Sequence, residues 1–207
     1  MTSKPQILHI HGGETFKNRR DYLRFLKTRK ISLEKKKRWS GDYMDKELGS
    51  KFEIIRPMMP SKDNAVYEEW KIHFERYIPL LRNNVIMTGN SLGSMFLIKY
   101  LSEHRFPKKI LALYLVCPPF DDTLFDEDLA GGFVLKRDIS LVEKNAKKIT
   151  LMFSVDDDCV PISHADKYEK KLKSANIIRY KSKNGHFNVS SFPEIISMIK
   201  VDLKRMK

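Results

Sequence analysis

The sequence predicts an α/β protein in three layers, with a mostly parallel sheet of about six strands and helices on both faces. Short apolar runs recur along the chain, and most end at a glycine, a proline or a polar turn. They cover residues 6–11, 52–56, 85–88, 110–116, 149–154 and 177–180. Nearly continuous apolar runs are typical of strands that are buried on both faces of a parallel sheet. Segments with helical spacing alternate with them, which indicates βαβ units.

Four helices are predicted from apolar residues at helical spacing. They cover residues 65–81, 92–104, 163–172 and 192–206. Residues 14–50 form a long charged crossover between the first two strands, for which we expect one or two further helices.

Length and composition favour one domain over residues 1–207. The chain is 42% hydrophobic and has no apolar run of the ~20 residues that a membrane span needs. The N-terminal residues show no secretion signal. Two cysteines, Cys117 and Cys159, do not make a disulfide framework or a metal cluster. We therefore expect a cytoplasmic protein without a membrane span, and the sequence does not indicate its oligomeric state.

The chain is strongly basic, with a net charge of +13 and its densest basic stretch at residues 27–38. Such a surface attracts anions, including nucleic acid. However, lysines are spread along almost every predicted helix, and no nucleic-acid-binding motif accompanies them. A solvated lysine-rich surface is the better interpretation, and we expect no nucleic-acid partner.

A serine between two glycines marks the candidate nucleophile. The residues 89–93 read Gly-Asn-Ser-Leu-Gly, and they follow a predicted strand and precede a predicted helix. In that setting the G-x-S-x-G pattern predicts a sharp turn that exposes the hydroxyl of Ser91.

A base and an acid follow in the order that this chemistry requires, namely serine, acid and histidine. His186 comes after the sixth strand, and three aspartates at residues 156–158 come after the fifth, which leaves the acid open. The N–H groups of Leu92 and Gly13 are the predicted oxyanion donors.

No metal or cofactor is predicted. His9 and His11 are close in sequence, but no third ligand has a suitable context. We expect His11 to brace its loop by hydrogen bonds.

The segment 120–138 leaves the carboxyl end of the fourth strand, where ligands bind in open α/β sheets. It is interpreted either as a lid or substrate wall, or as an ordinary surface excursion. Its acidic cluster matches no calcium-loop spacing. Four apolar residues suggest an acyl or aromatic pocket, although no substrate-binding residue is assigned: Phe120, Leu124, Phe125 and Phe133.

Four segments of the chain resemble the α/β-hydrolase superfamily. They are the strand ending in His-Gly-Gly, the elbow at 89–93, the Asp-Asp-Cys-Val-Pro run at 157–161 and Gly-His-Phe at 185–187. The short chain is similar to its compact serine hydrolases of the retinoblastoma-binding-protein type. The resemblance implies Ser91 as nucleophile, His186 as base and Asp157 as acid, because the family's acid typically lies four residues before the proline. Asn90 stands where many relatives have histidine.

These observations predict a serine hydrolase of the carboxylesterase type. Its substrate would be an ester, thioester or amide on a small molecule or peptide, cleaved through an acyl-enzyme. Two alternatives stay open. One is a non-catalytic or weakly catalytic binding protein on the same scaffold. The other is an acyltransferase, since hydrolysis and transfer share the acyl-enzyme.

Overall fold

Six strands form one sheet in the computed structural model, which describes residues 4–34 and 36–204. The strands are β1 Gln6–Ile10, β2 Glu53–Ile55, β3 Val85–Asn90, β4 Ile110–Val116, β5 Ile149–Ser154 and β6 Asn176–Tyr180. Their order across the sheet is β2-β1-β3-β4-β5-β6, and every neighbouring pair is parallel. The predicted fold class is therefore confirmed, and each predicted strand lies within a residue or two of its expected position.

Helices connect these strands. They are α1 Arg19–Thr28, α2 Met44–Leu48, α3 Tyr67–Glu75, α4 Leu92–Glu103, α5 Leu141–Asn145, α6 Ser163–Lys171 and α7 Pro193–Lys204. The predicted helix over 65–81 was too long, because α3 ends at Glu75 and a short 3₁₀ turn, Ile78–Leu80, follows it. Pro79 explains the break, since proline has no N–H to continue a helix and its ring clashes with the preceding turn.

The sheet is covered on both faces. On one face, α3 to α6 enclose a core that includes Trp70, Phe74 and Phe96. On the other face, α2 and α7 enclose a second core that includes Trp39 and Phe192. Because both faces are buried, the central strands carry apolar side chains in both directions.

The order of the strands determines where in the sheet a ligand site is expected. The chain continues from β1 to β2 on one side, whereas β3 pairs with β1 on the other side. The loops that follow β1 and β3 therefore meet at a topological switch point, where open parallel sheets bind their ligands.

The helices of the described residues are short, and the longest, α4 and α7, have 12 residues each. None of the helices in this part of the chain is both long and apolar enough to cross a bilayer.

Candidate active site

Ser91 lies on a strained turn between β3 and α4. Its backbone has φ 51° and ψ −123°, which a residue other than glycine rarely adopts. The N–H of Ser91 donates to the carbonyl of Val116 at 2.8 Å, and its carbonyl accepts from Ser94 and Met95 in the first turn of α4. These bonds hold the turn in the conformation that the G-x-S-x-G pattern predicts.

The two glycines of the elbow are required by close packing. A methyl group at Gly93 would lie 2.3 Å from the carbonyl oxygen of His11, and one at Gly89 would lie 2.7 Å from the backbone of Ser94. Either contact is far below van der Waals distance, so a larger residue would push the helix away from the sheet.

His186 and Asp157 are joined by a hydrogen bond. The Nδ1 atom of His186 lies 2.9 Å from Oδ1 and 3.0 Å from Oδ2 of Asp157. A carboxylate only accepts, so Nδ1 carries the hydrogen and Nε2 is the other, basic nitrogen. The Asp157 side chain is only 2% exposed, and its Oδ1 also accepts from the N–H groups of Cys159 and Val160. These contacts fix both the carboxylate and the imidazole tautomer.

The neighbouring aspartates support the same histidine through its backbone. Asp158 accepts from the N–H of His186 at 3.0 Å. Asp156 accepts from the N–H groups of Lys183 and Gly185 and from the hydroxyl of Ser182. Of the three candidate acids, Asp157 alone contacts the imidazole among the described contacts.

Ser91 and His186 line the same cavity but are not hydrogen-bonded among the described residues. The Nε2 atom of His186 lies instead 3.7 Å from the Sγ of Cys117. Cys117 is fully buried, directly follows β4 and has a positive φ of 41°. Its thiol thus occupies a position beside the nitrogen that a nucleophilic serine would use.

The charge of His186 depends on these neighbours. Burial disfavours the imidazolium, but the contacts with Cys117 and with the Asp157 carboxylate favour it by more, so the pKa of His186 is raised well above its usual value. Burial also raises the pKa of the Cys117 thiol, and the neighbouring His186 opposes this effect.

Cys117, Asp157 and His186 each bring a potential metal-ligand atom within 4.8 Å of the others. However, Asp157 lies at Nδ1 of the imidazole and Cys117 at Nε2. The two nitrogens of one ring point in different directions, so these donors do not converge on one ion as a tetrahedral site requires.

The predicted oxyanion donors belong to two neighbouring loops. The N–H of Leu92 is in the first turn of α4, where backbone N–H groups have no partner within the helix. Gly13 lines the cavity after β1. His11 braces that loop as expected, since its Nδ1 donates to the carbonyl of Gly12 at 2.6 Å and its Nε2 accepts from Met59 at 3.0 Å.

A cavity of about 490 Å³ opens above Ser91 and His186, and its lining is mainly polar and charged. The suggestion of an apolar pocket was wrong, because this cavity includes none of the four residues that suggested it. Phe133 is fully buried in the core, and Phe120 packs against the same core. From the segment 120–138, only Glu127 lines the cavity.

Sequence reasoning missed Glu14 and Lys62, which line the cavity, and Cys117, which is buried beside His186. Cys117 was predicted only to take no part in a disulfide framework or a metal cluster, yet its position directly after a strand was a usable signal, because parallel strands end at one edge. Burial and the nearby Glu127 raise the pKa of Glu14 to about 7. No pattern in the sequence indicated that Glu14 or Lys62 would line the same cavity as Ser91.

Comparison with known proteins identifies the family. A family model described as serine hydrolase matches residues 35–200, which is most of the chain. The chain belongs to the serine hydrolase family. It has the compact α/β-hydrolase fold, as the sequence resemblance predicted. No curated protein sequence matches it significantly.

Solved structures share the fold at low sequence identity. The ydeN gene product of B. subtilis is 16% identical with a TM-score of 0.74, and the match covers 97% of this chain and 100% of that one. A metagenome-derived lipolytic enzyme from the LipS and LipT study is 11% identical with a TM-score of 0.62, covering 99% and 95%. Mouse alpha/beta hydrolase domain-containing protein 10 is 13% identical with a TM-score of 0.62, covering 99% and 92%.

Proposed function

We propose that this serine hydrolase cleaves an ester, thioester or amide through Ser91, His186 and Asp157. The observation that supports this most is the hydrogen bond between His186 and the buried Asp157, in a cavity that Ser91 also lines. A nucleophile, a base and an acid that orients the base are the parts that acyl transfer needs.

In the proposed reaction, neutral Nε2 of His186 takes the proton of the Ser91 hydroxyl while its oxygen attacks the substrate carbonyl. Asp157 stabilises the imidazolium that forms. The imidazolium then returns the proton to the leaving alcohol, thiol or amine, and an acyl-serine remains. Water attacks this ester with His186 again as the base, which releases the acid and restores Ser91.

The tetrahedral intermediates place a negative charge on the former carbonyl oxygen. We assign its stabilisation to the N–H groups of Leu92 and Gly13. Leu92 follows the nucleophile at the N-terminus of α4, where the helix dipole also favours negative charge. The N–H of Gly13 donates to no acceptor among the described residues, so it is available for this role.

A second candidate is a binding protein on the hydrolase scaffold. One observation favours it: Nε2 of His186 lies beside the thiol of Cys117 and makes no hydrogen bond with Ser91 among the described contacts. However, catalytic hydrogen bonds are often long in the absence of substrate. We therefore keep hydrolysis as the leading proposal.

The two candidates are separated by covalent labelling of Ser91. We expect a fluorophosphonate probe to label the wild-type protein but not the Ser91→Ala variant. The same variant should lower kcat/KM for short-chain nitrophenyl esters at least about 10³-fold. Ser94→Ala is the matched control, because Ser94 is buried and its hydroxyl donates to the carbonyl of Val116. Absence of labelling in folded wild-type protein would favour the binding protein.

We also propose that residues 1–207 form one domain in which the segment 120–138 is a fixed surface excursion that contributes Glu127 to the cavity. This segment is tied to the body, because Gly131 accepts from the N–H of Tyr67 at 2.8 Å and the carbonyl of Asp128 accepts from Thr15 at 2.6 Å. A cytoplasmic location stays a prediction, which rests on the two free cysteines.

A further inference from the structure

Four basic side chains stand around the cavity that contains Ser91. Three are consecutive, at residues 36–38, and the fourth is Lys62 on the segment that follows β2. We call these four residues, Lys36, Lys37, Arg38 and Lys62, the basic rim. They are exposed, so they meet a ligand as it enters the cavity.

The basic rim has no fixed counter-charge in the part of the chain that the structure describes. Among residues 4–34 and 36–204, none of its four side chains forms an ion pair with a carboxylate. Lysines elsewhere do pair, such as Lys167 with Asp121 at 2.8 Å and Lys200 with Glu47 at 2.7 Å. Four cations that meet at one opening without partners create a local positive potential.

The acids of the same cavity offset this potential only in part. Asp63 pairs with Arg29 at 2.9 Å, outside the cavity. The carboxylate of Glu127 accepts a hydrogen bond from the thiol of Cys159 at 2.9 Å. The pKa of Glu14 is raised to about 7, mainly by burial, so its carboxyl is largely neutral below neutral pH.

The field of the basic rim reaches the interior of the cavity. Burial is the main reason that the pKa of His11 is lowered, and the charges of Lys62 and Arg38 lower it further. Arg38 also acts on Glu14, where it opposes the effect of burial. Both of these cavity residues therefore experience the positive charge of the rim.

We infer that the substrate carries an anionic group besides its scissile carbonyl, and that the basic rim binds this group while the carbonyl lies at Ser91. Carboxylate and phosphate share the chemistry that lysine and arginine recognise. This inference rests on the proposed function, and it names the class of substrate that the function would take.

The test uses two esters that differ only in charge. 4-Nitrophenyl hydrogen adipate ends in a carboxylate, whereas 4-nitrophenyl methyl adipate has the same acyl chain with a neutral end. At low ionic strength we expect kcat/KM to be about tenfold higher for the anionic ester. Added salt should reduce this preference, because it screens exposed charges.

A pair of double variants shows where the preference arises. Arg38→Gln with Lys62→Gln removes two charges from the basic rim. Lys170→Gln with Lys173→Gln removes two exposed charges near the end of α6, neither of which lines the cavity. We expect the first pair to lower the ratio of the two kcat/KM values at least about threefold, and the second pair to leave the ratio as in wild type.

The outcomes are distinct. Cleavage of both esters at similar rates, or a ratio that the two double variants change equally, overturns the inference and leaves the proposed hydrolase intact. Cleavage of neither ester contradicts the proposed function and the inference with it. Inorganic phosphate should compete for the basic rim and inhibit cleavage of the anionic ester more than that of the neutral ester. Equal inhibition of the two esters also counts against the rim.

Discussion

Two acidic clusters at the same edge of the sheet have different roles. The aspartate triplet, residues 156–158, follows β5, and the acidic loop, residues 120–138, follows β4. Both are rich in aspartate, and both begin where a parallel strand ends. They differ in the groups that their carboxylates contact.

The triplet contacts the loop that carries His186. Asp157 holds the imidazole, and Asp156 and Asp158 accept backbone N–H groups of the same loop. The acidic loop contacts side chains on other elements, since Asp121 pairs with Lys167 and Asp122 with Lys17. The partners of an acidic cluster, and not its composition, therefore decide whether it orients a reactive group or fastens a loop.

The largest expected effect is that of Asp157→Asn. An asparagine keeps the shape but cannot hold His186 in the tautomer whose Nε2 is basic, and it does not stabilise the imidazolium. We expect kcat/KM for nitrophenyl esters to fall about 10³- to 10⁴-fold with the fold intact, as judged by circular dichroism.

Asp156→Asn is the matched control within the triplet, because its partners are backbone and hydroxyl groups and not the imidazole. A loss of about tenfold or less is expected from a less well-ordered histidine loop. Equal losses in the two variants would mean that the triplet acts only on the loop, and that Asp157 does not orient the base.

The pH dependence of activity is expected to reveal the contact between His186 and Cys117. Because the pKa of His186 is raised, the neutral base becomes available only at higher pH. We therefore expect kcat/KM to increase with pH along a limb that lies above 6.5, the usual value for histidine. Cys117→Ala removes one contact that favours the imidazolium, so the limb should move to lower pH and the rate at pH 6 should rise roughly twofold or more.

Cys159→Ala provides the control, since Cys159 is also buried but its thiol donates to Glu127. In this variant, the rise of kcat/KM with pH should occur at the same pH as in wild type. If Cys117→Ala leaves the profile unchanged while Asp157→Asn moves it, the carboxylate alone sets the charge of His186.

Much of the fold could be predicted from the sequence because its signals are local. The six apolar runs became the six strands, and the elbow around Ser91 has a turn chemistry that two glycines specify. The extent of α3 was misjudged because the apolar spacing continues past Pro79, whereas the backbone of proline does not allow the helix to continue.

The site was less predictable, because its arrangement depends on contacts between residues that are distant in sequence. The choice among three adjacent aspartates depends on which carboxylate the turn directs at His186, and spacing does not encode that direction. The apolar pocket was wrong for the same reason. Phe133 turns into the core, whereas Arg38 and Lys62 reach the cavity from the two crossovers that connect β1 to β2 and β2 to β3.

The smallest expected effect is that of Asp121→Asn in the acidic loop. The Asp121 side chain is 43% exposed and accepts from Lys167, which makes it a surface ion pair of about 1 kcal/mol or less. Burial alone would raise the pKa of this carboxyl, but the hydrogen bonds from Lys167 and Thr123 together outweigh it and the pKa is lowered. A lowered folded-state pKa means that the pair stabilises the fold above the usual carboxyl pKa, and that this stability is lost as pH falls through the lowered value. The variant should therefore reduce Tm by roughly 2–4 °C at pH 7, and the difference from wild type should shrink towards pH 3.

The activity of Asp121→Asn shows whether Asp121 only fastens the acidic loop or also helps to orient a reactive group. Asp121→Asn should leave kcat/KM within about twofold of wild type, because Asp121 neither lines the cavity nor contacts His186. Asp126→Asn is the control in the same loop, since Asp126 has no hydrogen bond or ion pair among the described residues, and its Tm should stay near the wild-type value. A large loss of activity in Asp121→Asn at unchanged Tm would give the acidic loop a part in the reaction, and the contrast with the triplet would then no longer hold.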